Sequence, residues 1–307
     1  MPPNTRKIIL DSFNEFIITG SSAGAMGKVY FLDPVDKPTV HHTPMGRTIH
    51  PFIGGIASKF PKNLDDSKIF ERECEIWLNL KHRNIVPLLR IMEIGGVMAA
   101  LMPLYHESLR DLILKPSDRS DSFWGNQLLG ILDSLDYAWN YHGLLHLDLK
   151  PENILNYYED RSPYLSIADW GMARYQDSCF SRLKKRSSKG VGSLEVYGGT
   201  LPYMSPQRIK GALFSSNYRH TLSDDIFSVG IILSEILLHY NPCSEGALSH
   251  EDIINRILSG EYYSPILKLN HKKRALARLA QLCCSPDLEE RPNSYKKIIK
   301  FMESHVV

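Results

Sequence analysis

The stretch His146-Leu147-Asp148-Leu149-Lys150-Pro151-Glu152-Asn153 gathers a carboxylate, an ammonium and an amide within six positions of one segment. Phosphoryl transfer calls for that mixture. A carboxylate orients a hydroxyl and accepts its proton, a cation meets the transferring group, and an oxygen binds a metal. Sixteen residues beyond Asn153, Asp169-Trp170-Gly171 adds a second carboxylate behind the strand-like run Tyr164 to Ile167. Magnesium takes a few hard oxygens and leaves its remaining positions to water and phosphate, so Asn153 with Asp169 suits it. Earlier in the chain, Ser22-Ala-Gly24-Ala-Met-Gly27-Lys-Val29 contains glycines that let backbone N–H groups approach a phosphate. The same string also reads as an ordinary hairpin turn. Lys59, in Ile-Ala-Ser-Lys, is placed to neutralise phosphate charge, although a lone lysine on a strand is ordinarily solvated.

The elements that must position these groups change character along the chain. Phe16 to Thr19 and Lys28 to Leu32 are rich in β-branched and aromatic residues and flank the glycine turn, which predicts a hairpin. Asp33 to His50, with its Pro, Thr and His, reads as a loop, and Phe52 to Phe60 as a further strand. From Asp65 to Leu80, Ile69, Phe70, Ile76, Trp77 and Leu80 recur at helical spacing, with Asp65 or Asp66 as the cap. Ile85 to Ile91 and Val97 to Leu101, separated by Gly95-Gly96, read as a second hairpin. Beyond His106 the pattern is helical over Ser122 to His142, Asp224 to His239, His250 to Ser259 and His271 to Cys284. A boundary therefore falls near Met102 to Ser108, between a small sheet-rich lobe and a larger helical one.

Composition narrows the classes. Of 307 residues, 43% are apolar and 23% charged, which suits a globular core, and a formal net charge of +2 argues against nucleic acid or a membrane surface as partner. The five cysteines are odd in number and lack metal-site spacing, so free thiols in a reducing compartment are expected. Cys283-Cys284 reads as core packing. His41, His42 and His50 have no accompanying Cys or carboxylate pattern, which weighs against a metal there. With no signal-like start and no run of 18 apolar residues, a monomeric, intracellular protein of cytoplasm or nucleus is expected.

The order of glycine loop, strand lysine, HLDLKPEN, DWG, GTLPYMSPQ and SDDIFSVG resembles the protein-kinase signature set, from about Phe13 to Met302. The resemblance implies an α+β, two-lobed fold: residues 1–12 an extension, 13–102 the first lobe, 103–107 a hinge and 108–302 the second lobe. It implies ATP and Mg2+ as cofactors and protein Ser/Thr hydroxyls as acceptors, since lysine two residues after the aspartate resembles serine/threonine kinases. By the same resemblance Ser22, Gly24 and Gly27 cover the phosphates, and Val29, Ala57 and Leu155 sandwich adenine. Met102 is the gatekeeper, while Pro103 and Tyr105 meet adenine through a carbonyl and an amide. Lys59 contacts the α and β phosphates and pairs with Glu73, whose offset from the HRNIV segment fits where those of Glu71 and Glu75 do not. Asp148 is the base, Lys150 the γ-phosphate lysine, Asn153 and Asp169 the metal ligands, Thr200 a brace and Asp225 the anchor of the catalytic loop. Glu152 and Glu235 resemble the two carboxylates that favour Arg or Lys two residues before the phosphoacceptor. Leu201 and Met204 make the following position apolar.

Three positions depart from the family pattern. Leu147 replaces the arginine that binds a phosphorylated activation segment, so activity without that phosphorylation is expected, whatever happens at Ser187 and Ser188 beside the basic Lys184 to Arg186. Trp170 replaces a phenylalanine and is expected to stack with His146, Trp77 and Leu88. Gln207 replaces the glutamate that pairs with a buried arginine, here Arg291. A binding scaffold without transfer activity, and a small-molecule kinase sharing the aspartate loop, are the rival readings. The intact Lys59, Glu73, Asp148, Asn153 and Asp169 oppose the first, and the GTLPYMSPQ and SDDIFSVG segments oppose the second.

Overall fold

In a computed structural model, β-branched and small residues place three strands side by side: Val29 stands opposite Lys59, and Lys59 opposite Ala100. The structure describes residues 7–11, 14–24, 27–34, 55–61, 63, 66–94, 96–115, 119–159, 162–175, 198–214, 218–247, 249–270 and 274–307. The expected 33–50 loop with its histidines falls beyond Pro34 outside these residues, as do the basic 184–189 patch and Cys179. The chain divides into two compact units, Met1–His106 and Glu107–Val307.

The first unit holds β1 (Lys7–Asp11), β2 (Asn14–Gly24), β3 (Gly27–Pro34), β4 (Ile56–Pro61), α1 (Ser67–Asn79), β5 (Arg90–Ile94) and β6 (Val97–Pro103). The strands form one antiparallel sheet in the order β1-β2-β3-β4-β6-β5. Both expected hairpins are present, and β1 adds an edge strand from the stretch set aside as an extension. Two details differ from expectation. The second hairpin begins only at Arg90, because Ile85 and Val86 are buried under α1, where Trp77 donates its indole N–H to the Val86 carbonyl at 2.5 Å. Asp66 does occupy the N-cap of α1, but its carboxylate accepts from the Asn63 amide instead of the helix N–H groups.

The second unit holds β7 (Glu107–Ser108), α2 (Leu109–Leu114), α3 (Asp121–His142), β8 (Leu144–Leu145), β9 (Ile154–Glu159), β10 (Ser162–Ile167), β11 (Arg174–Tyr175), α4 (Pro206–Phe214), α5 (Leu222–Leu238), α6 (His250–Ser259), α7 (Tyr263–Leu267), α8 (Ala275–Cys284) and α9 (Tyr295–His305). Short sheets β10-β9-β7 and β11-β8 carry the loops between the helices. The helix expected from His271 is described from Ala275, and the others lie within a few residues of their expected limits.

α5 is apolar nearly all round and buried from Asp224 to Leu237, as befits a helix enclosed on every side. Gly230 makes that possible, since a Cβ there would lie 2.6 Å from Cys284 Sγ and 2.7 Å from Cys283 Cβ. Those two cysteines are core residues, as their helical spacing implied, and burial pushes the Cys284 thiol up to about 12. Among the described residues no helix is long and apolar enough to cross a membrane. Gly230→Ala tests the packing. Helix propensity alone would stabilise by about 1 kcal/mol, whereas overpacking costs about 1–3 kcal/mol. A lower urea midpoint is expected; a higher one would show that α5 and α8 can part freely.

Candidate active site

The segment from β8 to β9 is held by its own backbone and by α5. Asp225 accepts the N–H groups of His146 and Leu147 at 2.7 and 2.8 Å, with Tyr295 Oη adding a third donor at 3.3 Å. Burial raises the pKa of this carboxyl, and the interaction with His146 and the two N–H groups pull it back down. The His146 ring accepts the Asp148 N–H at Nδ1 and donates from Nε2 to the Ala168 carbonyl, which fixes its tautomer. Ala168 N–H in turn donates to the Asn153 carbonyl at 2.8 Å, so the backbone just before Asp169 is tied to Asn153.

The charged groups gather around Asp148, which is only 4% exposed. Thr200 Oγ1 donates to Asp148 Oδ1 at 2.8 Å, and Lys150 Nζ donates to Thr200 Oγ1 at 2.6 Å and to Asp148 Oδ2 at 3.0 Å. Asn153 Nδ2 donates to the Asp148 carbonyl at 2.8 Å and to Oδ2 at 3.1 Å. The amide nitrogen is thereby committed, and Oδ1 is the Asn153 atom suited to a cation. Asp169 follows at the head of a short 3-10 turn, Trp170–Met172, in a left-handed conformation with φ 63°. An amide oxygen and one carboxylate are a fitting protein share for magnesium, which fills its shell with phosphate and water. Among the described residues no cluster of three or more His, Cys, Asp or Glu forms a closed metal site.

In the first unit, Lys59 on β4 donates to Glu73 Oε1 on α1 at 2.5 Å, with side-chain exposures of 7% and 1%. A pair this buried costs about 3–5 kcal/mol when one partner is removed. Cys74 beside it stays a thiol, because burial and the Glu73 charge push it up to about 12. The β2–β3 register sets Ser22 opposite Val29 and Gly24 opposite Gly27, while Ala57 stands opposite Met102 across β4 and β6. Pro103 closes β6, Tyr105 follows it, and Leu155 lies on β9 of the second unit, paired with Ser166. Glu71 and Glu75 are exposed on α1, in keeping with the choice of Glu73.

Leu147, in place of the family's arginine, has φ 63°, a left-handed conformation costing a non-glycine residue about 1–2 kcal/mol. Both ends of its backbone are fastened. Its N–H goes to Asp225, and its carbonyl accepts Arg208 Nη1 at 2.6 Å. Arg208, buried on α4, also donates Nη2 to the Gly198 carbonyl at 2.8 Å, tying the Asp148 loop to the backbone just before Thr200. Gly199, at φ 89°, passes between them; a Cβ would meet Arg208 Nη2 at 2.8 Å and the Leu147 oxygen at 2.9 Å. Sequence reasoning missed Arg208. Its one visible signal was an arginine immediately after Gln207, without a neighbouring acid to account for it.

Gln207 and Arg291 do not hydrogen-bond to each other: Gln207 Oε1 and Arg291 Nη2 are both buried without a hydrogen-bond partner. Arg291 instead donates to the Ser285 carbonyl at 2.6 Å and Ser223 Oγ at 3.1 Å, and lies over the Phe227 ring at 5.0 Å. An amide lacks the charge that would draw the guanidinium to it. Glu152 and Glu235 do converge, but on the chain's own Arg110, 2.8 Å from Glu152 Oε1 and 2.7 Å from Glu235 Oε2. Trp170 packs against His146 with ring centroids 4.7 Å apart, and its indole N–H has no hydrogen-bond partner. Trp77 and Leu88 are buried in the first unit, and Leu201 and Met204 are buried in the second.

Two units of this construction, one a sheet with a paired lysine and glutamate and one helical with an aspartate loop, define a phosphotransferase class, and the sequence profile of the protein kinase domain matches residues 56–302. The chain belongs to the protein kinase family, of the eukaryotic type. It is 25% identical over 318 residues to serine/threonine-protein kinase PknD of Protochlamydia amoebophila, covering 94% of this chain and 30% of that one. It is 26% identical over 239 residues to human receptor-interacting serine/threonine-protein kinase 1, covering 76% and 34%. Against calcium/calmodulin-dependent protein kinase type 1 of Caenorhabditis briggsae it is 25% identical over 193 residues, covering 62% and 48%. The chain thus spans between about a third and a half of the length of these relatives.

The Arg208 tie is testable. Arg208→Met should leave the buried Leu147 carbonyl unpaired, lowering stability by about 1–3 kcal/mol. Amide exchange at Leu147 and Asp148 should quicken. Unchanged exchange at both would show that Asp225 alone holds the loop.

Proposed function

We propose that this chain is an active serine/threonine protein kinase, its catalytic domain running over residues 13–302, that transfers the γ-phosphoryl group of Mg-ATP to Ser or Thr hydroxyls of proteins. The observation that carries this reading is the Asp148 cluster, in which one buried carboxylate is shared by Lys150, Thr200 and Asn153. When bound, Mg-ATP supplies the phosphoryl group and the metal charge that neutralises its oxygens.

The chain's own residues do the positioning. Lys59, oriented by Glu73, would hold the α and β phosphates, and Asn153 Oδ1 with Asp169 would hold the metal. Asp148 turns the acceptor hydroxyl toward the phosphoryl group and takes its proton, while Lys150 offers positive charge to the group in transit. Thr200 sets the spacing between that acid and that base. Lysine two residues past Asp148 and the GTLPYM segment support Ser/Thr over Tyr as acceptor. Serine/threonine-protein kinases are among its relatives, which supports the same acceptor. The Leu147 side chain has no donor with which to hold a phosphate.

Asp148→Asn should leave nucleotide affinity nearly unchanged and cut peptide phosphorylation by about a hundredfold or more. Retained transfer at the wild-type rate would remove Asp148 from this role. If the wild-type chain binds nucleotide yet transfers no phosphate to any peptide, the binding-scaffold reading replaces this one. Phosphatase-treated chain, verified by mass, should keep most of its activity. Loss of most activity on that treatment would contradict the reading of Leu147.

A further inference from the structure

Glu152 and Glu235 bring two carboxylates to one spot beside the proposed base, and the chain answers them itself. Arg110 donates Nε to Glu152 Oε1 at 2.8 Å and Nη2 to Tyr203 Oη at 2.5 Å, and its Nη1 lies 2.7 Å from Glu235 Oε2. All three guanidinium nitrogens are engaged. Tyr203 Oη donates to Glu235 Oε1 at 2.7 Å, and Asn241 Nδ2 donates to that same oxygen. The aim of Arg110 is set locally. It sits in the first turn of α2, where Ser108 and Asp111 cap each other, Ser108 N–H donating to Asp111 at 2.9 Å and Asp111 N–H to Ser108 Oγ at 3.3 Å.

Exposure tells which part of this cluster faces outward. The Glu235 side chain is 0% exposed, Arg110 25% and Glu152 47%. Glu152 belongs to the same short turn, Pro151–Asn153, as the proposed metal ligand, so a peptide offering its hydroxyl to Asp148 runs close by. Two carboxylates, one fully buried, form a pocket that a forked guanidinium satisfies better than any other side chain.

We propose that Arg110 is a specificity-determining residue, a built-in guanidinium that fills the Glu152–Glu235 pocket in place of a basic side chain of the substrate. The inference rests on the kinase reading and replaces the expected preference for Arg or Lys before the acceptor with none. A tethered group acts at an effective concentration of about millimolar or above, so a peptide arginine at ordinary concentrations competes poorly. It would also bring a second cation against Arg110, which repels it. Remove Arg110, and the pocket is left with two unanswered charges and a gap of guanidinium shape.

Full-length wild type and Arg110→Ala are assayed on serine peptides carrying Arg or Ala at each of the five positions before the acceptor. Wild type should show Arg-to-Ala ratios of kcat/KM within about twofold throughout. Arg110→Ala should gain about tenfold for Arg at one position, and Glu152→Gln added to it should erase the gain. Ethylguanidinium at millimolar concentration should raise the melting temperature of Arg110→Ala and not that of wild type. A wild-type preference of about tenfold for a basic residue would overturn the proposal. So would a folded Arg110→Ala with neither the gain nor the ethylguanidinium shift, since Arg110 would then be a structural ion pair only. Should Arg110→Ala not fold, Arg110→Lys, which keeps the charge without the fork, is read the same way for a gain of about threefold. If wild type phosphorylates no peptide, the kinase reading has failed, and ethylguanidinium stabilisation together with calorimetric binding of the arginine peptide to Arg110→Ala still decides what fills the pocket.

Discussion

The second unit is organised around one peptide in a conformation that its residue does not favour. Leu147 sits in the left-handed region, and the strain persists because its N–H and its carbonyl are claimed by two separate elements. Asp225 reaches up from the buried α5, and Arg208 reaches across from α4. With that peptide turned, His146 points its ring toward Ala168 and Trp170 while Asp148 points its carboxylate toward Lys150, Thr200 and Asn153. Packing on one side of the loop and charge on the other follow from the same turn of backbone.

α5 shows how core and chemistry are joined. Asp225 near its start anchors the loop, Gly230 at its middle admits the two cysteines of α8, and Glu235 near its end meets Arg110. Because the helix is enclosed on every side, none of these can shift without the others. The buried charges on it are each answered within the fold, Asp224 by the Ser205 and Tyr218 hydroxyls and the Thr221 N–H, Asp225 by backbone N–H groups, and Glu235 by a guanidinium, a phenol and an amide.

Residue type and short spacing were legible in the sequence: Asp148, Lys150 and Asn153 within one segment, and the strand-like run that carries Lys59. Arg110 and Arg208 were not, since Glu152 and Tyr203, which the first meets, and Leu147, which the second meets, lie 42, 93 and 61 residues away and an arginine on a helix resembles any solvated one. That Gln207 and Arg291 do not pair follows from the residue type, since an uncharged amide lacks the attraction that would draw the guanidinium to it. Asp66 reached its cap position and then bonded to Asn63, a choice between near-equal local partners that no spacing rule distinguishes.

The tie from Arg208 to the Leu147 and Gly198 carbonyls has a consequence for how a cell could govern such a molecule. Both acceptors are backbone oxygens, which no modifying enzyme marks or unmarks, and the donor is buried. At that point of the fold there is nothing to write on and nothing to erase.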